Sequence, residues 1–242
     1  MPCGPTPWSA WVQPDYQLLI FDWDGTLVDS IGRIVEAMRV AALGCGLPDR
    51  SEMAIKGIIG LGLPEAILSL YPELDLVALE RFRGRYVDHY LSLETEPSPF
   101  FPGVVDALDD FRRRGYRLAV ATGKSRRGLQ RVLQAHGWLD YFDVTRCADE
   151  TASKPDPLML QEILMHCDVP PARALMVGDS PFDLRMARHA GMDAVAVGYG
   201  AQPLTVLCEE SPRLAIQYFD DLRAWLAGRA ITQPAEVNEH GG

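Results

Sequence analysis

Gln17-Leu-Leu-Ile-Phe21 runs without a break into Asp22-Trp-Asp-Gly-Thr26. The first half is a short apolar run of the kind that forms a strand buried on both faces. The second half is a polar turn that brings two carboxylates and a glycine to the strand's exit. A strand buried on both faces belongs to a parallel sheet covered by helices. Ligands of such sheets sit outside the carboxyl ends of the strands. The chemistry is therefore expected where these strands stop.

Working outward, Asp29 and Ser30 suit the start of a helix over Ile31 to Leu43, closed by Gly44 and Gly46. Up to about Pro97 the pattern is helical only. Segments 51–59, 64–71 and 75–94 carry apolar residues at helical spacing, such as Leu76, Leu79, Phe82, Tyr86 and Tyr90. After Pro102-Gly103 the pattern alternates: helix 103–114, strand 116–121, helix 126–136, strand 142–147, helix 157–166, strand 174–177, helix 182–190 and strand 194–197. Alternation of this kind predicts an α/β fold, a Rossmann-like parallel sheet core sandwiched by helices with right-handed crossovers. The expected division is an α/β core over 1–31 and 97–228, with a helical module over 32–96 inserted after the first strand, which the resemblance drawn below would make a cap domain on a catalytic core. The polar tail 229–242 is expected to be disordered.

The strand exits give a short list. The first holds Asp22 and Asp24, and the second Thr122-Gly123-Lys124. The loop after the third holds Ser153-Lys154-Pro155-Asp156. The fourth holds Gly178-Asp179-Ser180, with Asp183 four residues past Asp179. Carboxylates gathered this closely call for a hard cation, and Mg²⁺ suits oxygen ligands that share it with a phosphate. Thr122, the backbone N–H groups around Gly123, and Lys154 would bind the oxygens of a transferring phosphoryl group.

These segments, Phe21-Asp-Trp-Asp-Gly-Thr-Leu-Val-Asp29, Ala121-Thr-Gly123, Ser153-Lys-Pro-Asp156 and Val177-Gly-Asp-Ser180 with Asp183, resemble the four motifs of the haloacid dehalogenase superfamily. The resemblance covers about 16–228 and points to the capped phosphatases, similar to phosphoglycolate phosphatase and β-phosphoglucomutase. It implies that Asp22 is the nucleophile and forms an aspartyl-phosphate. Asp24 would protonate the leaving alcohol and then take a proton from water. Mg²⁺ would be held by the Asp22 carboxylate, the Asp24 carbonyl and Asp179, with Asp183 supporting the metal waters or orienting Lys154. Gly25, Thr26, Thr122, Gly123 and Lys154 would bind substrate, with Lys56 added from the glycine-rich cap stretch 54–63. Members that do not cleave phosphate esters lack a carboxylate at the place of Asp24, so its presence favours ester hydrolysis. A phosphosugar mutase and a non-catalytic binding protein on the same fold are the alternatives. Trp23, where Leu or Met is usual, alternates away from the catalytic side.

Composition narrows the partners. The net charge of −10 disfavours nucleic acid. Two basic clusters, Arg112–Arg114 and Lys124–Arg131, read as solvated helix faces and ends. No apolar run is long enough to span a membrane, and the opening MPCGPTPWSAWVQPD does not read as a secretory signal. Five scattered cysteines without paired spacing argue against a disulfide framework and fit a reducing, cytoplasmic setting. The expected partner is a small phosphorylated metabolite, acted on by a monomer or weak homo-oligomer.

Overall fold

The computed structural model describes residues 15–228, so the tail 229–242 lies outside the described residues. The sheet has six parallel strands in the order β3-β2-β1-β4-β5-β6. They are β1 (Leu18–Phe21), β2 (Arg117–Thr122), β3 (Val144–Cys147), β4 (Ala174–Gly178), β5 (Asp193–Val197) and β6 (Leu214–Ile216). Phe21 pairs with Val120 on one side and Val177 on the other, so β1 is central and its exit lies between those of β2 and β4. The chain winds one way from β1 through β2 to β3 and the other way from β4 onward. The order therefore reverses beside β1, which opens a crevice at the carboxyl ends.

Alternation along each strand builds two cores. Leu19, Phe21, Leu118, Val120, Leu175 and Val177 point to one face. There they meet α5 (Val104–Arg113), α6 (Arg126–Ala135) and α10 (Phe219–Leu226) through Leu108, Phe111, Leu129, Phe219 and Leu222. Leu18, Ile20, Ala119, Ala121 and Met176 point to the other face. They meet α7 (Leu158–Cys167) and α8 (Pro181–His189) through Leu160, Ile163, Leu184 and Met186. Burial on both faces is why these strands carry no polar alternation.

A third core is separate. Helices α1 (Ile31–Gly44), α2 (Glu52–Lys56), α3 (Leu63–Leu70) and α4 (Leu76–Leu93) pack on one another through Val35, Met38, Ile55, Ile67 and Phe82. The expected helix over 51–59 is only five residues long. After it the chain turns through Gly57 and Gly60 and forms a small bridge between Ile59 and Leu61. Beyond β5, the last strand that the alternation predicts, lie α9 (Leu204–Leu207), β6 and α10. The β6 strand has only three residues and sits at the sheet edge, too short for a periodic signal to rise above the loop around it. Among the described residues no helix is long and apolar enough to cross a membrane.

Trp23 sits one residue past the nucleophile candidate and turns into the first core. Its ring meets Phe100, His136 and Phe142 at centroid distances of 6.2, 6.2 and 6.3 Å, and it is 1% exposed. Trp23→Ala is expected to cost about 3–5 kcal/mol, the transfer term plus the cavity it leaves. Urea unfolding checks this, and a loss below about 1 kcal/mol would mean the indole does not anchor the loop.

Candidate active site

Four loops meet over the exits of β1, β2, β3 and β4. Asp22 follows β1 directly, and its backbone N–H donates to the carbonyl of Val177 at 3.0 Å, continuing the ladder into the site. Its Oδ1 lies 2.8 Å from the Nζ of Lys154, and the same ammonium lies 2.6 Å from Oδ1 of Asp183. Asp183 is fixed from behind by a capping box at the start of α8. The hydroxyl of Ser180 donates to its Oδ2 at 2.7 Å while the Asp183 N–H is capped by Ser180 in return. Asp179 completes the group, since carboxylate oxygens of Asp22, Asp179 and Asp183 all lie within 4.8 Å of one another.

Asp179 accepts from the backbone N–H of Ala201 at 2.7 Å and from the Thr26 hydroxyl at 3.2 Å. Thr26 thus supports a carboxylate. Gly25 packs behind the same group: at φ +81° its backbone is left-handed, and a Cβ would meet Asp179 Oδ2 at 2.1 Å. Only glycine fits both conditions.

All of these side chains are buried, and the charges do not balance. Burial, with the neighbouring charge of Asp183, pushes Asp22 up to about 7 despite the pull of Lys154. Burial and the charges of Asp22 and Asp183 raise Asp179 well above the usual carboxylate range. Lys154 goes the other way. Burial alone would lower it, but Asp183 and Asp22 hold it protonated. Hard carboxylate oxygens this close, with less positive charge than negative, are the donor set of a divalent cation. The residues present fit one.

Asp24 is oriented elsewhere. Its Oδ1 accepts from the Ser30 hydroxyl at 2.6 Å and lies 2.9 Å from the Nζ of Lys124. Its carboxylate is not part of the acidic group. Thr122 is buried, and its Oγ1 accepts from the Lys124 N–H at 3.2 Å. Gly123 lies under the cap-side loop, where a Cβ would come 2.3 Å from the carbonyl oxygen of Leu61. The Gly62 N–H donates to Ser153 Oγ at 2.8 Å, so this loop seats on two core loops at once. Lys56 is not drawn in. Its ammonium pairs with Glu52 one turn back at 2.9 Å, on a side chain 36% exposed.

One reading of the basic clusters needs correction. Lys124 is no solvated helix-end cation. It stands just before Ser125, the N-cap of α6, the end where the helix dipole disfavours positive charge. What holds it there is Asp24 and Tyr90, whose ring centroid is 5.0 Å from the ammonium. Arg126 and Arg131 are likewise tied, to Glu150 and Glu94. A lysine among only three in the chain, at a strand exit and the wrong end of a helix, was a signal available in the sequence.

A family model described as haloacid dehalogenase-like hydrolase matches residues 19–197. The protein named probable phosphatase IndB of Dickeya dadantii is 36% identical, over 85% of this chain and 91% of its own length. A phosphoglycolate phosphatase of Mesorhizobium japonicum is 31% identical, over 88% of this chain and 96% of its own. The crystal structure of a predicted phosphoglycolate phosphatase from Haemophilus somnus superposes with a TM-score of 0.76 at 26% identity. It covers 89% of this chain and all (100%) of that one.

The raised carboxylates have a consequence for stability. In the cation-free protein the folded state of Asp22 titrates near 7 and the unfolded state near 3.8. Protons are therefore bound more tightly when folded, and this group's stabilisation falls as pH rises between those values. A cation competes with those protons, so its effect should grow over the same window. Saturating Mg²⁺ is expected to raise Tm by roughly 3 °C or more further at pH 7 than at pH 5. Differential scanning calorimetry decides it, and an equal or smaller gain at pH 7 contradicts the site.

Proposed function

The chain belongs to the haloacid dehalogenase-like hydrolase family, and we propose that it is a Mg²⁺-dependent phosphatase that uses Asp22 as nucleophile on a small phosphate monoester. The observation that carries this reading is the buried Lys154 ammonium between Asp22 and Asp183 beside a third carboxylate at adjacent strand exits. That is what an attacking carboxylate and an incoming phosphate dianion together require: a cation to hold the phosphate and a metal to offset the repulsion. The relatives' names support the phosphatase class and favour a short phosphorylated acid as the first substrate to try.

In this reading Asp22 and Asp179 would hold Mg²⁺ with the backbone carbonyl of Asp24, and Asp183 stands behind them, orienting Lys154. The cation would supply the charge neutralisation that lets Asp22 approach the phosphate. Lys154, Thr122 and the Gly123 backbone bind the phosphoryl oxygens, which keeps the phosphorus in line with Asp22. An Asp22 oxygen forms the new bond to phosphorus as the ester oxygen leaves, and Asp24 donates a proton to that oxygen. Water then attacks phosphorus while Asp24 takes its proton, the bond to Asp22 breaks, and phosphate departs.

The division into a core over 1–31 and 97–228 and a cap over 32–96 belongs to this proposal. Its support is the separate packing of α1 to α4 and the seating of Gly60 to Gly62 over the β2 exit. The cap excludes water from the reacting groups when it closes. Lys56 would reach substrate only after leaving Glu52, and it stands as a weaker member of the binding set. No disulfide joins the described cysteines, which supports work in a reducing compartment such as the cytoplasm.

Asparagine substitutions separate the two carboxylates. Asp22→Asn is expected to lower kcat by ~10⁴-fold or more on every monoester, because the attacking group is gone. Asp24→Asn should behave differently with p-nitrophenyl phosphate, whose leaving group needs little protonation. A burst of p-nitrophenol should survive while steady turnover slows by ~10²-fold or more, since water activation is lost. Stopped-flow absorbance reads both. Near-normal turnover by Asp22→Asn would end the proposal.

A further inference from the structure

Helix α4 buries one side within the helical module through Leu79, Phe82 and Tyr90. At about 100° per residue, its opposite side carries Val77, Glu80, Arg81, Gly84, Asp88 and Leu91. Leu76 and Val87 flank that face on the side of Glu80 and Leu91. Leu76 and Val77 are 79% and 80% exposed, and Val87 and Leu91 are 42% and 39% exposed. On α1, which lies alongside through the Glu36–His89 pair and the approach of Arg85 to Gly44, Val40 and Leu43 are exposed as well. Large apolar side chains gathered on one outward face mark a contact surface, unlike single ones scattered over a molecule.

Gly84 stands in the middle of that face. Glycine inside a helix is destabilising relative to alanine, and nothing in this chain requires it: a Cβ there would meet no atom within 4 Å. What the glycine permits is close approach from outside, at the short end of the roughly 8–10 Å that separates packed helix axes.

The charges say what approaches. Arg81 and Asp88 have no ion-pair partner among the described residues, and they share the flank away from Leu76 and Val87. A second copy of α4, packed antiparallel about a two-fold axis at Gly84, brings like flanks together. Val77 and Leu91 stand equally far before and after the glycine, so each Val77 meets Leu91 of the other copy. Arg81 lies almost as far before it as Asp88 lies after it, so each Arg81 meets Asp88 of the other copy, and the ion pair forms twice. Glu80, tied to Arg83 in its own chain, falls opposite Val87 on the other flank. Packed parallel, Arg81 would face Arg81 and Asp88 would face Asp88, which repulsion disfavours.

We propose that this face of α4 is the two-fold interface of a homodimer, antiparallel and centred on Gly84. The helix has 18 residues and is about 27 Å long. With the end of α1 it buries on the order of 500 Å² per copy, the low end for specific interfaces, so the dimer forms in the micromolar range. Tyr90 reaches Lys124 from the buried side of α4. The interface therefore lies away from the crevice, and each core can open while the helical modules stay joined. None of this depends on the reaction catalysed.

Sedimentation velocity of the full chain from about 1 to 200 µM tests it. Wild type is expected to pass from monomer to dimer with a Kd of ~1–100 µM. Gly84→Lys places a good helix former where the chain leaves open space, but sets two ammonium groups against each other on the axis. It should weaken the dimer by ~100-fold or more. Arg81→Asp and Asp88→Arg should each weaken it by ~10-fold. An equimolar mixture of those two variants should recover to within ~3-fold of wild type, because every Arg81–Asp88 contact in the mixed dimer again joins opposite charges. A wild type that stays monomeric throughout overturns the proposal whatever the variants do. So does a dimer unmoved by Gly84→Lys, or a mixture no tighter than its two components.

Discussion

Three buried carboxylates, Asp22, Asp179 and Asp183, share a space in which their oxygens come within 4.8 Å of one another, and one ammonium, Lys154, reaches two of them. In water such a group would repel itself only weakly. In a dry crevice the repulsion is large, and the protein relieves it by raising Asp22 and Asp179 and keeping Lys154 charged. That imbalance is what the site offers a ligand. A divalent cation entering there offsets the excess negative charge, which is the condition the proposed reaction needs before an anionic phosphate can approach Asp22.

The fold can be understood as the means of holding that imbalance still. Central parallel strands put Asp22 and Asp179 side by side, because β1 and β4 are neighbours in register from Leu18 with Ala174 to Phe21 with Val177. The capping box of Ser180 and Asp183 ties the third carboxylate to the first turn of α8. Gly25 is absent of side chain where Asp179 needs the room, and Trp23 anchors the other side of the same loop in the core. Mutually repelling groups stay only where surrounding structure overdetermines them. The two apolar cores against the sheet faces supply that rigidity.

How much of this could be read beforehand follows from where each residue's signal lies. Asp22, Thr122 and Asp179 are legible because a buried parallel strand is a continuous apolar run and a polar group at its end stands out, whereas Lys154, in the loop after β3, and Asp183, in the first turn of α8, are legible through their short motifs. Thr26 was legible as a site residue, but its bond to Asp179 depends on how the loop folds back and leaves no local mark. Lys124 was misread because the basic cluster around it suggested a solvated face. Its partners Asp24 and Tyr90 lie 100 and 34 residues away in the chain, and only the tertiary fold brings them together. Lys56 drew attention as a cap lysine between glycines, while its i,i+4 partner Glu52 was the more local explanation. The β6 strand carried too few residues to show a period.

The claim on which the rest depends is that phosphorus becomes bonded to Asp22. Rapid acid quench during steady turnover of a phosphate monoester, followed by peptide mass spectrometry, tests it directly. The account predicts that the peptide containing Asp22 gains the mass of one phosphoryl group, that fragmentation assigns it to Asp22, and that hydroxylamine removes it. A turning-over enzyme quenched across the whole reaction with that peptide always unmodified, or with the phosphoryl group on another residue, would contradict it.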